Sequence, residues 1–238
     1  MNQSHYIKQI TGKEKKQKIN VAILFYRSHF LSGNTKPIDA LSSALKKEKL
    51  SSIAIYLSSL RETDIQTELI EILQQYQVDL ILNTTSFSVA KIGEESNSKI
   101  WQTLDIPVLQ VILSGSTEEY WQNNFQGLSP RDVAMNVALP EVDGRIITRA
   151  ISFKSVAKKH PQLETDIVIY EPLENRVNYI AQLAKNWVKL KHKKNGDKKV
   201  ALILANYPNK DGRIANGVGL DTPASCINIL QFLMVVVR

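Results

Sequence analysis

Asn20-Val-Ala-Ile-Leu-Phe-Tyr26 is a short and continuous apolar run, and the polar residues Arg-Ser-His29 follow it. A run of this length without alternation is typical of a strand that is buried on both faces of a sheet. Similar runs recur at 52–57, 78–83 and 107–113, and segments with helical spacing lie between them, from Pro37, over about 64–76 and near 94–103. This alternation predicts an α/β fold with a doubly wound parallel sheet of the Rossmann or flavodoxin-like kind.

The remainder of the chain predicts a second, smaller unit. We expect a helix over about 174–191, a lysine-rich linker over 193–198, and a strand at Lys199–Ala205 that repeats the pattern found at residue 20. Asp221-Thr-Pro-Ala then predicts a helix start, with a side-chain cap and a proline just inside the helix. One βα unit cannot bury its own apolar face. We therefore expect residues 1–18 to be a disordered basic tail, 19–192 the first α/β domain, and 199–238 the truncated start of a second domain in a longer protein.

Composition narrows the class of protein. Of the 238 residues, 43% are hydrophobic and 22% are charged, as in ordinary globular proteins. No apolar run reaches the roughly 18 residues that a transmembrane helix needs, and the N-terminus has no apolar core of the kind found in secretory signals. The single cysteine, Cys226, excludes an internal disulfide and a cysteine-based metal site. We expect a cytoplasmic protein.

The net charge of +7 is concentrated in two stretches. Residues 8–18 carry +4 and residues 185–199 carry +6, so the rest of the chain is mildly acidic at −3. A surface that tracks nucleic-acid phosphates needs basic residues spread over a folded face, with aromatic residues between them. Solvated ends and linkers therefore explain the basicity better than nucleic-acid binding does.

Polar residues follow three of the predicted strands, at Tyr26–His29, Asn83–Ser86 and Leu113–Ser116. Ligands of doubly wound sheets bind beyond the carboxyl ends of the strands, so these segments are candidate binding residues. Helix capping is an equally good explanation for the two hydroxyl-rich clusters. It explains Arg27 and His29 less easily.

Two charged loops containing Gly and Pro are the other candidates, at 138–145 and 205–213, and each contains Asp-Gly-Arg. Phosphate-binding, metalloprotease and serine-hydrolase motifs are absent, and the four histidines show no metal-ligand spacing. Asp-Gly by itself is typical of a tight turn. Glu141 and Asp143, beside Pro140, suggest in addition two carboxylates on one rigid loop that can accept a proton or bind a divalent cation transiently.

Several of these blocks, taken in order, resemble a known family. They are Tyr26-Arg-Ser-His29 with Gly33-Asn34, Asn83-Thr-Thr-Ser-Phe87, Gly127-Leu-Ser-Pro-Arg-Asp132, Val137–Arg145 and Leu202–Ser225. The family is the large, tetrapyrrole-binding subunit of aerobic cobaltochelatase, which is homologous to the large subunit of magnesium chelatase. The resemblance covers residues 19 to about 233 and looks like the N-terminal portion of a subunit several times longer.

The resemblance implies ATP-driven insertion of a divalent metal into a tetrapyrrole. ATP would be hydrolysed by separate AAA+ partner subunits and not by this chain. The Pro-Glu-Val-Asp-Gly-Arg block and the run 206–221 look like the cobalt branch, which implies Co²⁺ and a corrin precursor, hydrogenobyrinic acid a,c-diamide, in cobalamin biosynthesis. Mg²⁺ with protoporphyrin IX stays open as an alternative, as does a truncated module that binds a tetrapyrrole without turnover.

The resemblance also suggests residue roles. Glu141 is the first choice for a carboxylate that accepts a pyrrole proton or replaces a water ligand of the metal, with Asp143 beside it and His29 as a second base or ligand. Carboxylate arms of a corrin precursor suit arginines. The expected substrate-binding residues are Arg27, Arg145, Arg213, Asn83, Asp211 and Asp221, with Arg131 a lesser candidate because it can cap a helix. We expect this chain alone to be inactive as a chelatase.

Overall fold

The computed structural model describes residues 19–90, 99–159, 162, 164–204, 215 and 219–236. The chain separates into two compact units, residues 1–188 and 189–238. The strands of the described residues are β1 (Val21–Tyr26), β2 (Ser52–Leu57), β3 (Leu80–Asn83), β4 (Val108–Leu113), β5 (Ile146–Lys159) and β6 (Asp166–Pro172). The α-helices are α1 (Arg27–Leu31), α2 (Lys36–Lys47), α3 (Thr63–Gln75), α4 (Lys99–Leu104), α5 (Glu118–Asn123), α6 (Pro130–Val133), α7 (Leu139–Val142), α8 (Glu174–Lys191) and α9 (Thr222–Val236). A π-helical turn (Ala134–Ala138) joins α6 to α7, and a 3₁₀ turn (Asn195–Asp197) follows α8.

The strands form one sheet in the order β2-β1-β3-β4-β5-β6. Strands β1 to β5 pair in parallel, and β6 is antiparallel to β5. The first five strands have the flavodoxin-like order, in which the chain changes direction across the sheet between β1 and β3. The predicted doubly wound α/β fold is therefore confirmed.

Both faces of the sheet are covered, which explains why the run at residue 20 is apolar without alternation. Val21, Ile23 and Phe25 point to one face and belong to a core cluster with α2 and α8. Ala22 and Leu24 point to the other face and pack with residues of α3 and α4. All five side chains have no solvent exposure.

Strands β5 and β6 are additional to the predicted elements. They pair from Ser152 opposite Pro172 to Lys159 opposite Asp166. The parallel register between β4 and β5 shifts twice, between Gln110 and Leu113. This irregular ribbon extends the sheet beyond β4 and supplies side chains to the site described below.

The strand expected at 199–205 is not formed over residues 199–204, which have no regular secondary structure; residue 205 lies outside the described residues. A strand requires a hydrogen-bonded neighbouring strand, and the described part of the chain offers none to residues 199–204. The side chain of Ile203 is accordingly 89% exposed and not packed in a core. The helix start at Asp221 is confirmed, because its Oδ1 accepts a hydrogen bond from the Ala224 N–H at 3.0 Å. None of the described helices combines the length and the apolar character needed to cross a membrane.

Candidate functional site

The polar ends of β1, β3 and β4 lie at one edge of the sheet and are tied together by hydrogen bonds. Tyr26 donates its phenolic O–H to the carbonyl of Ser86 at 3.0 Å. Thr84 donates its hydroxyl to the carbonyl of Leu24 at 2.8 Å. The hydroxyl of Ser114 donates to Asp132 at 2.7 Å. These three hydrogen bonds join the segments after β3 and β4 to β1 and α6, and none of them is the helix capping that the sequence left open.

Behind this edge lies a fully buried polar network centred on Gln110 and Asn83. The Asn83 amide donates to Gln110 Oε1 at 2.8 Å and to the Thr85 carbonyl at 3.0 Å. Arg145 also donates to Gln110 Oε1, at 3.1 Å. Asn83 therefore lies beneath the surface as part of the support for the strand ends.

Asp143 and Arg145 form a buried ion pair at 2.6 Å, with side chains 0% and 1% exposed. The same carboxylate accepts hydrogen bonds from the backbone N–H groups of Val89 and Ala90 at 2.7 and 3.0 Å. Burial lowers the pKa of Arg145, and the neighbouring Asp143 charge partly offsets this effect. Through these hydrogen bonds, Asp143 holds the loop after β3 against the turn after α7.

The two carboxylates expected to act together lie in different environments. Glu141 is in α7 and exposed, whereas Asp143 is buried. Within the described part of the chain, the Glu141 carboxylate has no hydrogen-bonding partner, while that of Asp143 is fully engaged. The Asp-Gly turn itself is confirmed, since Gly144 has a φ of 72° and donates its N–H to the Glu141 carbonyl at 2.9 Å.

A second buried carboxylate, Asp132, organises the loops around β4. Its Oδ2 accepts hydrogen bonds from the hydroxyls of Ser114, Ser116 and Ser129 at 2.7, 3.2 and 3.1 Å. Its Oδ1 accepts from the Gly115 N–H at 3.0 Å and from the Asn136 amide at 3.2 Å. Five donors from three segments thus surround a side chain that belongs to a residue only 4% exposed.

Above Asp132 is a pocket of about 310 Å³. Its walls combine two cationic side chains, Arg131 and Lys154, with the aromatic residues Phe87 and Tyr170 and with Ser86 and Met135. Met135 comes from the π-helical turn, an irregularity that is frequent at functional sites. The pocket therefore gathers residues from β4, β5, β6 and the segments after β3 and α5.

His29 lies next to this pocket through Tyr170, since the two rings meet edge to face with centroids 5.0 Å apart. Burial lowers the pKa of His29, so its imidazole is neutral at pH 7. Burial, followed by the Asp132 charge, raises the pKa of Tyr170 and keeps its phenol protonated. Arg27 is half-buried at the start of α1, in the same segment as His29.

The other expected site residues are placed elsewhere or not described. Arg213 and Asp211 lie outside the described residues, and Asp221 caps α9 in the unit 189–238. No cluster of three or more His, Cys, Asp or Glu side chains suited to a metal ion occurs among the residues that the structure describes.

Asp132, Lys154 and Tyr170 line the pocket and are candidate site residues that the sequence did not single out. Ser129-Pro-Arg-Asp132 carries a signal, because Ser-x-x-Asp resembles a capping box and Ser129 does cap α6. No comparable signal marks Lys154 and Tyr170, since they come from the unpredicted strands β5 and β6.

Comparison with known proteins agrees with the resemblance found in the sequence. The aerobic cobaltochelatase subunit CobN of Pseudomonas aeruginosa is 46% identical over 90% of this chain and 17% of its own length. The corresponding subunit of Sinorhizobium sp is 41% identical over 94% of this chain and 18% of its own length. A magnesium-chelatase subunit of Chlorobaculum parvum is 26% identical over 95% of this chain and 18% of its own.

A solved structure, the catalytic subunit of cobaltochelatase from Mycobacterium tuberculosis, matches with a TM-score of 0.81 and 31% identity, over 98% of this chain and 19% of that one. The chain therefore spans less than a fifth of the length of each of these relatives. A family model described as CobN/Magnesium Chelatase matches residues 1–235. The chain thus belongs to the CobN/magnesium chelatase family.

Proposed function

We propose that this chain is part of the tetrapyrrole-binding subunit of an ATP-dependent chelatase that inserts Co²⁺ into a corrin precursor, hydrogenobyrinic acid a,c-diamide, in cobalamin biosynthesis. The observation that carries the proposal is the identity of 41% and 46% to cobaltochelatase subunits, against 26% to a magnesium-chelatase subunit. AAA+ partner subunits hydrolyse the ATP, and the catalytic assembly requires the longer subunit.

The geometry supports ring binding at the carboxyl edge of the sheet. A pocket of about 310 Å³ is at the small end of the roughly 300–1,000 Å³ of ligand sites, so it accommodates an edge of a macrocycle rather than the whole. Arg27 and His29 lie on the segment beside it. Asn83 and Arg145 are buried beneath this edge, where their hydrogen bonds to Gln110 hold the ends of β3 and β4 in place.

Metal insertion releases two pyrrole protons and the water ligands of the cation. An exposed carboxylate without a protein partner can accept such a proton or replace a water ligand, and Glu141 meets this description. The neutral imidazole of His29 can accept the other proton. Asp143, which is held by Arg145 and two N–H groups, positions the turn that follows Glu141.

Glu141→Gln in the full-length subunit, assayed for cobalt insertion with its AAA+ partners, tests this role. Removing a general base is expected to lower the insertion rate by about 10²–10⁴-fold. Ring affinity should stay nearly unchanged, because Glu141 is not among the residues that line the pocket. Glu119→Gln, an exposed change in α5, is the matched control.

Normal insertion by Glu141→Gln, or an equal loss of ring affinity, would contradict the role. The relation to a magnesium-chelatase subunit, at 26% identity, favours one alternative, insertion of Mg²⁺ into protoporphyrin IX. The same assay with Mg²⁺ and protoporphyrin IX distinguishes the two. Ring binding without insertion of either metal would favour a module that binds a tetrapyrrole without turnover.

A further inference from the structure

The pocket above Asp132 has a net positive lining. Its charged side chains are Arg131, Lys154 and Asp132. In the described part of the chain, neither cation forms an ion pair. Asp132 already accepts five hydrogen bonds, so both of its oxygens are occupied by protein donors, and the two cations outnumber its single negative charge. An anionic group is therefore the ligand chemistry that the pocket favours.

The polar walls select for a hydrogen-bond acceptor. The hydroxyls of Ser116 and Ser129 donate their protons to Asp132, and the hydroxyl of Ser86 donates to Asn136 at 2.7 Å. The side-chain donors left for a ligand include the two cations and the protonated phenol of Tyr170. Such a set suits a carboxylate, which only accepts hydrogen bonds when ionised.

The apolar walls suit an anionic group that is attached to an apolar body. Phe87 is 43% exposed at the pocket and has a φ of 66°, a conformation that is rare for a bulky residue and typical of functional sites. Its N–H is fixed to the Met135 carbonyl at 3.0 Å, and the Arg61 guanidinium lies 5.9 Å from its ring centroid. Phe87 and Met135 can thus contact the edge of a conjugated ring.

We propose that this pocket binds one carboxylate arm of a tetrapyrrole together with the adjoining edge of the ring, with Arg131 and Lys154 holding the carboxylate. The inference rests on the proposed function for the identity of the ring. It concerns ring binding alone and does not involve metal insertion or Glu141.

Binding of coproporphyrin, which carries four carboxylate arms, and of its tetra-amide tests the proposal by fluorescence titration of this chain. The wild-type chain should bind the tetra-amide at least about tenfold more weakly, because an amide is neutral and loses the charge-charge attraction to both cations. Arg131→Gln and Lys154→Gln should each weaken coproporphyrin binding about tenfold, the order expected for a charged hydrogen bond. The double variant should bind both rings equally. Lys47→Gln, an exposed change at the end of α2, is the matched control and should change neither affinity.

Wild-type affinity of the double variant for coproporphyrin, or equal wild-type affinity for the two rings, would overturn the proposal. So would displacement of the ring by inorganic phosphate at concentrations at which glutarate has no effect, since the anion would then be a phosphate. The two substitutions are on exposed side chains, and unchanged melting temperatures confirm that the variants fold.

This test is separable from the chelatase proposal. If the full-length assembly fails to insert cobalt while the wild-type chain discriminates coproporphyrin from its tetra-amide through Arg131 and Lys154, the pocket inference stands and the proposed function fails. If insertion proceeds with an unchanged KM for the ring in the double variant, the reverse holds.

Discussion

Replacing Asp132 by alanine is expected to lower the free energy of unfolding by about 4 kcal/mol. Two of the donors to Asp132 are buried, the Ser114 hydroxyl and the Asn136 amide, and alanine leaves both without their acceptor. A buried donor without a partner costs about 1–3 kcal/mol, which gives about 2–6 kcal/mol for the two. The other three donors are partly exposed and can form hydrogen bonds with water instead.

Asp132→Asn should cost less, about 1–2 kcal/mol, because the side chain keeps its shape. One oxygen still accepts hydrogen bonds, and hydroxyls facing the new amide can rotate to accept from it. Only the difference between charged and neutral hydrogen bonds is lost.

Urea denaturation measures both changes. With a slope of about 2 kcal/mol/M, the midpoint should fall by about 2 M for alanine and by less than about 1 M for asparagine. Asp105→Asn is the matched control, because Asp105 is exposed with a φ of 48°, a conformation that asparagine tolerates. A loss below about 1 kcal/mol for Asp132→Ala would refute the view that Asp132 holds the pocket loops together.

Two further predictions concern the buried Asp143 and the half-buried His29 at the same edge. Asp143→Ala leaves the Arg145 guanidinium without its counter-ion and should cost about 3–5 kcal/mol in thermal or urea unfolding. Adding Arg145→Met should recover part of this loss, and a double variant no more stable than Asp143→Ala would contradict the pairing. Burial lowers the pKa of His29 below its ordinary 6.5, so the unfolded chain binds this proton more readily. The neutral imidazole therefore contributes its full stabilisation above pH 6.5, and this contribution falls as the pH drops below 6.5. His29→Leu should make the melting temperature decline less steeply between about pH 6.5 and 5. An unchanged slope would disprove the assignment.

The parallel core of the fold could be predicted because its signals are local. Strands such as Ser52–Leu57 are uninterrupted apolar runs, and α8 has the bounds that its apolar stripe indicated. Strand β6 is partly exposed along its length and alternates weakly, so its pattern gave no comparable signal. Residues 199–204 were predicted to form a strand and do not. Their apolar run matches that of β1, but a strand also requires a neighbouring strand.

The site was predicted less completely, because its chemistry depends on contacts between distant segments. Residue type and spacing suggested Glu141 and Asp143 as candidates, yet only the fold shows that Asp143 is buried against Arg145 while Glu141 is exposed. The pocket itself depends on Lys154 and Tyr170, which are far from Arg131 along the chain. Burial and distant pairing cannot be obtained from local spacing.

A competitive titration of this chain with two rings tests its assignment to cobalt insertion. One ring is hydrogenobyrinic acid a,c-diamide and the other is protoporphyrin IX, with quenching of Trp101, Trp121 and Trp187 as the signal. We expect saturable binding of the corrin precursor with a lower Kd than that of protoporphyrin IX. Tighter binding of protoporphyrin IX would contradict the assignment to cobalt insertion.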